Sequence, residues 1–354
     1  MKNIFFLLVA IVTLLSCKKK TDTTDNNNNV GTIPLVFAAN IGFASQNGGT
    51  TGGDAAKIVT ATNYIELKNY LESPINNYIV KVEGRIYNNT SGGSIRVRSN
   101  KTLIGTTANA FLDGVGLTID GYRNVIVRNI KFSMSSITNR TDPMVYSPTG
   151  DEGRPQILVN GGDAIRISNS TNIWIDHCEF FNEDPDVQTN QDLYDGLVDI
   201  GGNSAFITVS WNYFHNHHKV HLIGSSDSDS PDRRTTFAFN YYNKVKQRLP
   251  SYRFGTAHVY NNYFNNIGSS AINSRMGACI KVENNVFETV RSPLTTDGSP
   301  TGRYELSNNS FTGISGTAAP TTSTCTASIP YTYELKPVSE VKALVIAGAG
   351  VGKL

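Results

Sequence analysis

The chain has 354 residues, enough for one large domain or two ordinary ones, and its 39% hydrophobic content allows a sizeable core. A formal net charge of +2 excludes a global field that would draw the protein to nucleic acid or a membrane surface, so recognition of an anion has to be local. Only 17% of residues are charged, whereas Gly (31), Tyr (16) and Phe (16) are plentiful, a balance that favours strands and turns over surface helices.

The chain begins with an export signal. Lys2 precedes an apolar run over 4–15, which is too short to span a bilayer well. Ser16-Cys17 follows with the look of a lipobox, which makes Cys17 the lipidated first residue of the mature protein. Residues 1–17 are then the signal, and the anchor is the only expected tie to a membrane. The expected location is a bacterial membrane (the outer one) or the exterior. Residues 18–32, KKKTDTTDNNNNVGT, are polar and unpatterned and read as a flexible tether. One domain over 33–354 remains.

Within that domain, residues 63–72 read as a short helix. Asn63 and Glu66 have capping-box spacing, and Ile65, Leu67, Tyr70 and Leu71 form an apolar face suited to covering the open end of a core. Further on, a register recurs. Asn212-Tyr-Phe, Asn240-Tyr-Tyr, Asn262-Tyr-Phe, Asn285-Val-Phe and Asn309-Ser-Phe are spaced by 28, 22, 23 and 24 residues, and each follows a short alternating strand. Segments 124–132 and 172–180 have the same shape. Strands at this period without helix-length spacers predict a solenoid, a single-stranded parallel β-helix in which stacked Asn residues form an amide ladder beside stacked aromatics. An antiparallel sandwich also has regular short strands, but it does not explain the recurring Asn-x-aromatic register. Segments 133–160 and 182–194 are too long for β-helix turns and are expected as loops on one side, where binding sites usually sit. Residues 338–347 read as a second short helix, ended by Gly348. Of the cysteines Cys178, Cys279 and Cys325, export permits pairing; Cys279–Cys325 is one candidate bridge, with Cys178 then free and buried, and the sequence does not fix the choice.

The chemistry concentrates between Asp163 and Asn262. Asp195 and Asp199 would share one face of a straight strand but lie roughly 13 Å apart, too far to meet one ion. Gly196 offers a bend, and Asp163, one coil earlier, can stack beside them. An all-oxygen set favours Ca²⁺ over Zn²⁺, although spacing alone equally allows solvated turn aspartates. His215, His217, His218 and His221 have no adjacent cysteine and no HExxH pattern, so polar packing at a loop edge is the better reading than a zinc site. Arg248 and Arg253 flank Pro250, which breaks the strand and lets both face one groove; arginine suits bidentate contact with a carboxylate.

These residues bring the chain into resemblance with the pectate lyases, the first family of polysaccharide lyases. The matching pieces include Ser99-Asn-Lys-Thr-Leu-Ile-Gly, Asn124-Val-Ile-Val-Arg-Asn-Ile, Gly162-Asp-Ala-Ile and Trp174-Ile-Asp-His177. They continue with Asp195 to Asp199, Ile207-Thr-Val-Ser-Trp-Asn, His218-Lys219-x-x-Leu-Ile-Gly and Arg248-x-Pro-x-x-Arg253-x-Gly-x-x-His258; Gly42-Phe and Ser274-Arg275 also fit. The match covers roughly 35–350 in order, with the double-arginine run the most specific part. The resemblance implies a right-handed parallel β-helix with a substrate groove on one side. It implies Ca²⁺ held by Asp163, Asp195 and Asp199, Arg248 as general base, and Lys219, Arg253 and Arg275 as contacts to substrate carboxylates. The implied reaction is β-elimination on polygalacturonate by a monomer. One departure stands out. Many members carry a further acid at the position of Gly161, so metal binding is expected to be weaker here unless Asp184 or Asp186 substitutes. A pectin lyase acting on methylated substrate would lack the acidic trio, a hydrolase would need paired carboxylates at catalytic separation, and a non-catalytic glycan-binding β-helix would not need Lys219, Arg248 and Arg253 together.

Overall fold

The computed structural model describes residues 35, 37–90, 93–150, 152–321 and 324–354, so the expected signal, the tether and Cys17 lie outside the described residues. Residues 33–354 form one compact unit. It is the parallel β-solenoid that the Asn-x-aromatic period predicts. One sheet stacks ten strands, from Ile58–Ala61 to Arg303–Ser307, all parallel. Two further rows of parallel strands complete each coil. They merge into a single sheet because the long strand Tyr263–Arg275 bends through both rows.

The corner between the first sheet and the next row is one residue wide. Asn129, His177, Trp211, Phe239, Asn261, Asn284 and Asn308 all sit there with φ between 48° and 58°. This left-handed conformation suits Asn and costs other residues roughly 1–2 kcal/mol. Trp211 and Phe239 recover part of that by stacking with ring centroids 4.5 Å apart.

The residue after each corner points inward, and here the amide ladder forms. Asn212, Asn240, Asn262 and Asn285 each pass a side-chain amide proton to the Oδ1 of the next Asn at 3.0 Å, the last acceptor being Asn309. Cys178 occupies the equivalent place one coil earlier: its backbone N–H donates to Asn212 Oδ1 at 2.8 Å. Two residues on, Phe132, Phe180, Phe214, Tyr242, Phe264, Phe287 and Phe311 stack at 4.5–5.1 Å. That is the spacing of paired strands, so strict parallel register is what builds the aromatic column.

The helix Tyr64–Glu72 covers one end. Asn63 Oδ1 accepts the Glu66 N–H at 3.0 Å, and Glu66 reaches back to the Thr62 N–H, one residue before the cap. Leu67 and Leu71 are buried against the core, but Ile65 is 62% exposed, so the apolar face is narrower than expected. The second helix, Val338–Gly348, does not plug an end. It lies along the flank, with Val341 and Val345 packed on Trp211, Phe239, Tyr260 and Tyr263. The chain then runs back until Gly352 N–H donates to Asn129 Oδ1 at 2.7 Å. The amino-terminal segment is a second strap. Phe43, Ala44 and Gly52 donate backbone N–H groups to Thr236, Thr208 and Asn124 in turn. Gly42, at φ 69°, passes so close to Thr208 that a Cβ would collide with its hydroxyl. Cys279 and Cys325 are disulfide-bonded, and Cys178 is free and buried.

Candidate active site

The two long insertions meet over one row of strands. The short antiparallel pair Tyr146–Ser147 and Gln156–Ile157 belongs to the first, and Leu193 O of the second accepts the Ile157 N–H at 2.8 Å. Met134, Ile137, Val145, Ile157, Val159 and Tyr194 give the paired loops a small core of their own. The insertions therefore rest on a packed base of their own.

Under these loops the three acids converge. Asp163 follows the turn Val159–Gly162, Asp195 precedes the strand Val198–Gly201, and Asp199 lies within it. One ligand oxygen from each lies within 4.8 Å of the others. Gly196 supplies the anticipated bend: a Cβ there would collide with the Asp199 carboxylate, which folds over it. Asp163 Oδ1 accepts the Gly196 N–H at 2.8 Å, and Asp199 Oδ1 accepts the Leu222 N–H at 2.9 Å. Burial and the neighbouring acids push the Asp163 carboxyl well above its usual range, and burial together with Asp195 pushes Asp199 up to about 7. Three close carboxylates, two of them strongly desolvated, are a poor arrangement for the empty protein and fit a hard divalent cation with oxygen ligands.

Gly161 has φ 70°, and a Cβ on it would come within 3.4 Å of an Arg166 Nη. Arg166, which pairs in register with Asp199, thus borders the space that an acid at 161 would face. Asp184 and Asp186 do not fill that place. They pair with Lys244 at 3.2 Å and Lys246 at 2.5 Å on another part of the surface. The histidines do not converge either. His215 meets Glu179, His217 the Asp195 carbonyl, His218 the Gln188 carbonyl and His221 the Val198 carbonyl. His217 and His221 are buried rather than at a loop edge, and burial holds their rings down to about 4 and about 3.

The basic residues stand beside the acids. A cleft of about 410 Å³ contains the acidic trio and Arg166. Sharing Asp195 and Gln156 with it, a second of about 300 Å³ contains Lys219 and Arg248. Lys219 ends the strand Tyr213–Lys219 and touches Asp192 at 3.1 Å and Asp195 at 3.0 Å. Arg248 sits at a corner with φ 66°, and its carbonyl accepts the His221 N–H at 2.8 Å. Arg253 and Arg275 end neighbouring strands in direct register. The acidic trio, Lys219 and Arg248 therefore line two adjoining clefts, while Arg253 and Arg275 line neither. Sequence reasoning missed Arg166, Asp192 and Asp227, which sit against these residues. Arg166 was readable from its place three residues after Asp163, on a strand facing Asp199; nothing in the serine-rich loop marks Asp227.

Over residues 15–354 the chain matches the family model described as pectate lyase. It is 40% identical over 329 residues to a pectate trisaccharide-lyase of Bacillus licheniformis, covering 91% of this chain and 89% of that protein. It is 37% identical over 319 residues to pectate lyase A of Aspergillus niger, covering 88% and 87%. The solved pectate lyase Bsp165PelA from Bacillus sp. N165, in complex with trigalacturonate, superposes with TM-score 0.76 at 31% identity over 88% of this chain and 99% of that one. Fold, family match and extent of similarity agree: this chain belongs to the pectate lyase family of polysaccharide lyases.

Proposed function

We propose that the protein cleaves α-1,4-linked polygalacturonate by Ca²⁺-assisted β-elimination, releasing oligosaccharides with 4,5-unsaturated ends. The observation that carries this is the convergence of Asp163, Asp195 and Asp199 with Lys219 and Arg248 along two adjoining clefts in a member of this family. The three aspartates would hold the cation. When bound, Ca²⁺ draws charge from a galacturonate carboxylate and so acidifies the adjacent C5–H. Lys219, Arg253 and Arg275 hold substrate carboxylates. Arg248 takes the C5 proton; the freed electron pair forms the C4–C5 double bond as the C4–O bond breaks, and the departing oxygen takes a proton from solvent. A guanidinium gives up its proton only at strongly alkaline pH, so the base form is scarce at neutral pH and an alkaline optimum is expected.

The test is incubation with polygalacturonate, followed by the ultraviolet absorbance of the conjugated product, with and without a calcium chelator. No rise in either condition would sink the lyase reading, and a rise indifferent to the chelator would remove the role of Ca²⁺.

We further propose that the protein is exported as a monomer and anchored through lipidated Cys17. The Cys279–Cys325 disulfide supports an oxidising compartment. Cys17→Ser should shift it from the membrane to the soluble fraction.

A further inference from the structure

Arg253 and Arg275 place two guanidinium groups on adjacent strands in direct register, an arrangement that needs an anion between them. In the free protein that anion is Asp227. Its Oδ1 accepts the Arg253 Nε–H at 2.7 Å and lies 4.0 Å from Arg275 Nη2. The two arginine side chains are only 11% and 20% exposed, whereas the Asp227 side chain is 58% exposed.

The loop that carries Asp227 is firmly held at its base and loosely held at its tip. Fully buried Arg233 pairs with the Asp229 carboxylate and donates to Gly202 O at 3.0 Å. Asp229 in turn accepts the Ser225 and Gly202 N–H groups at 2.8 and 3.1 Å. Arg253 does not depend on Asp227 for its place, because its Nη1 donates to Gly224 O at 2.9 Å. Arg275 has capacity to spare: its Nε–H is buried without a hydrogen-bond acceptor, although Asp297 lies 3.3 Å away.

We propose that Asp227 is a resident stand-in for a substrate carboxylate. In the free protein it faces both Arg253 and Arg275, offsetting their charge together with Asp297 beside Arg275, and it is displaced when an anionic sugar binds there. This rests on the polygalacturonate reading of the groove and adds a specificity element to it. An incoming carboxylate gains only the difference between its own contacts and those of Asp227. A methyl-esterified sugar meets a pair that is already neutral, so this subsite discriminates weakly between acid and ester.

The test compares wild type with Asp227→Asn, which keeps the shape and removes the charge, and Asp227→Ser, which also removes the reach. Trigalacturonate binding is measured by calorimetry, and KM is measured on fully de-esterified and on partly methylated polygalacturonate. Removing an exposed competing ion pair is expected to tighten trigalacturonate binding and lower KM on the de-esterified polymer by roughly two- to fivefold. Binding should also weaken more steeply with added salt, and the change should be smaller on methylated polymer. Weaker binding by both variants would overturn the proposal and make Asp227 a positioning residue for Arg253. Unchanged binding would overturn it as well. Product formation by wild type with either of those results leaves the lyase reading standing while this inference fails; tighter binding by the variants without any unsaturated product does the reverse.

Discussion

Gly196 and Asp199 are sterically interlocked: the Asp199 carboxylate occupies the space where any side chain at 196 would begin. Gly196→Ala should therefore displace the Asp199 carboxylate directly, at a residue that also follows Asp195 and donates its N–H to Asp163. The expected outcome is a loss of roughly ten- to a hundredfold in Ca²⁺ affinity, the range seen when a ligand's support is disturbed. Calorimetric titration with Ca²⁺ checks it, with the thermal melt of the ion-free protein as control.

Metal binding should depend on pH in a definite direction. Burial and neighbouring acids raise Asp163 well above its usual range and Asp199 to about 7. At pH 6 the ion-free site therefore carries bound protons that a cation must expel. Ca²⁺ affinity should rise with pH up to and through about 7. Titration in two buffers of different ionisation enthalpy should show proton release at pH 6 that diminishes as pH rises.

Arg248→Lys keeps a positive charge in the groove but changes the proton-accepting group and its reach. Loss of general-base function costs typically ~10²–10⁴-fold in rate, and the loss should fall on kcat while trigalacturonate binding persists. Near-normal turnover in initial-rate assays would remove Arg248 from the role of base.

Asn262 is an inner rung of the amide ladder. Its side chain donates to Asn285 Oδ1, Phe237 O and Tyr260 O, and it accepts the backbone and side-chain N–H groups of Asn240. Asn262→Ala strands several buried groups, each costing ~1–3 kcal/mol. Chemical denaturation should show a loss of about 3 kcal/mol or more. Asn309→Ala, at the partly exposed end of the ladder, should cost less.

His221 is fully buried between Phe214, Phe237 and Tyr242, and burial depresses its ring to about 3. Between pH 6.5 and 3 the unfolded chain binds a proton there that the folded chain refuses. This contribution is complete above about 6.5 and is lost as pH falls toward the folded value. The melting temperature should drop on acidification below 6.5, and His221→Gln should flatten that slope.

The solenoid was readable because its period is written in residue types: Asn must recur where the amide ladder runs, and aromatics must recur two places on. The acid trio was readable only as residues, not as a site. Asp195 and Asp199 meet because the chain folds sharply at Gly196, and the sequence marks that bend with nothing more than a glycine. The counter-charges were least readable. Asp192 and Asp227 come from loops, and no periodicity relates a loop carboxylate to the strand cation it meets. The course of the helix Val338–Gly348 was hidden for a related reason. Its apolar residues are visible in sequence, but the Trp211, Phe239 and Tyr260 surface that receives them exists only once the coils have stacked.

Stacked coils, each touching only its neighbours, would be free to peel away one at a time from either end. The two straps remove that freedom. The amino-terminal one ties Gly52, Ala44 and Phe43 to successively later coils, and the carboxy-terminal one ties Lys336 to Asn261 and Asn284 before reaching Asn129. A terminal coil cannot fray without breaking bonds made to coils far from it. Unfolding is thereby converted from an unzipping into a single concerted event. Trimming the chain before Lys336 would restore the unzipping route, and the first coil to go would be the one with strands Arg303–Ser307 and Ser310–Thr312, ahead of the coil that carries Arg275.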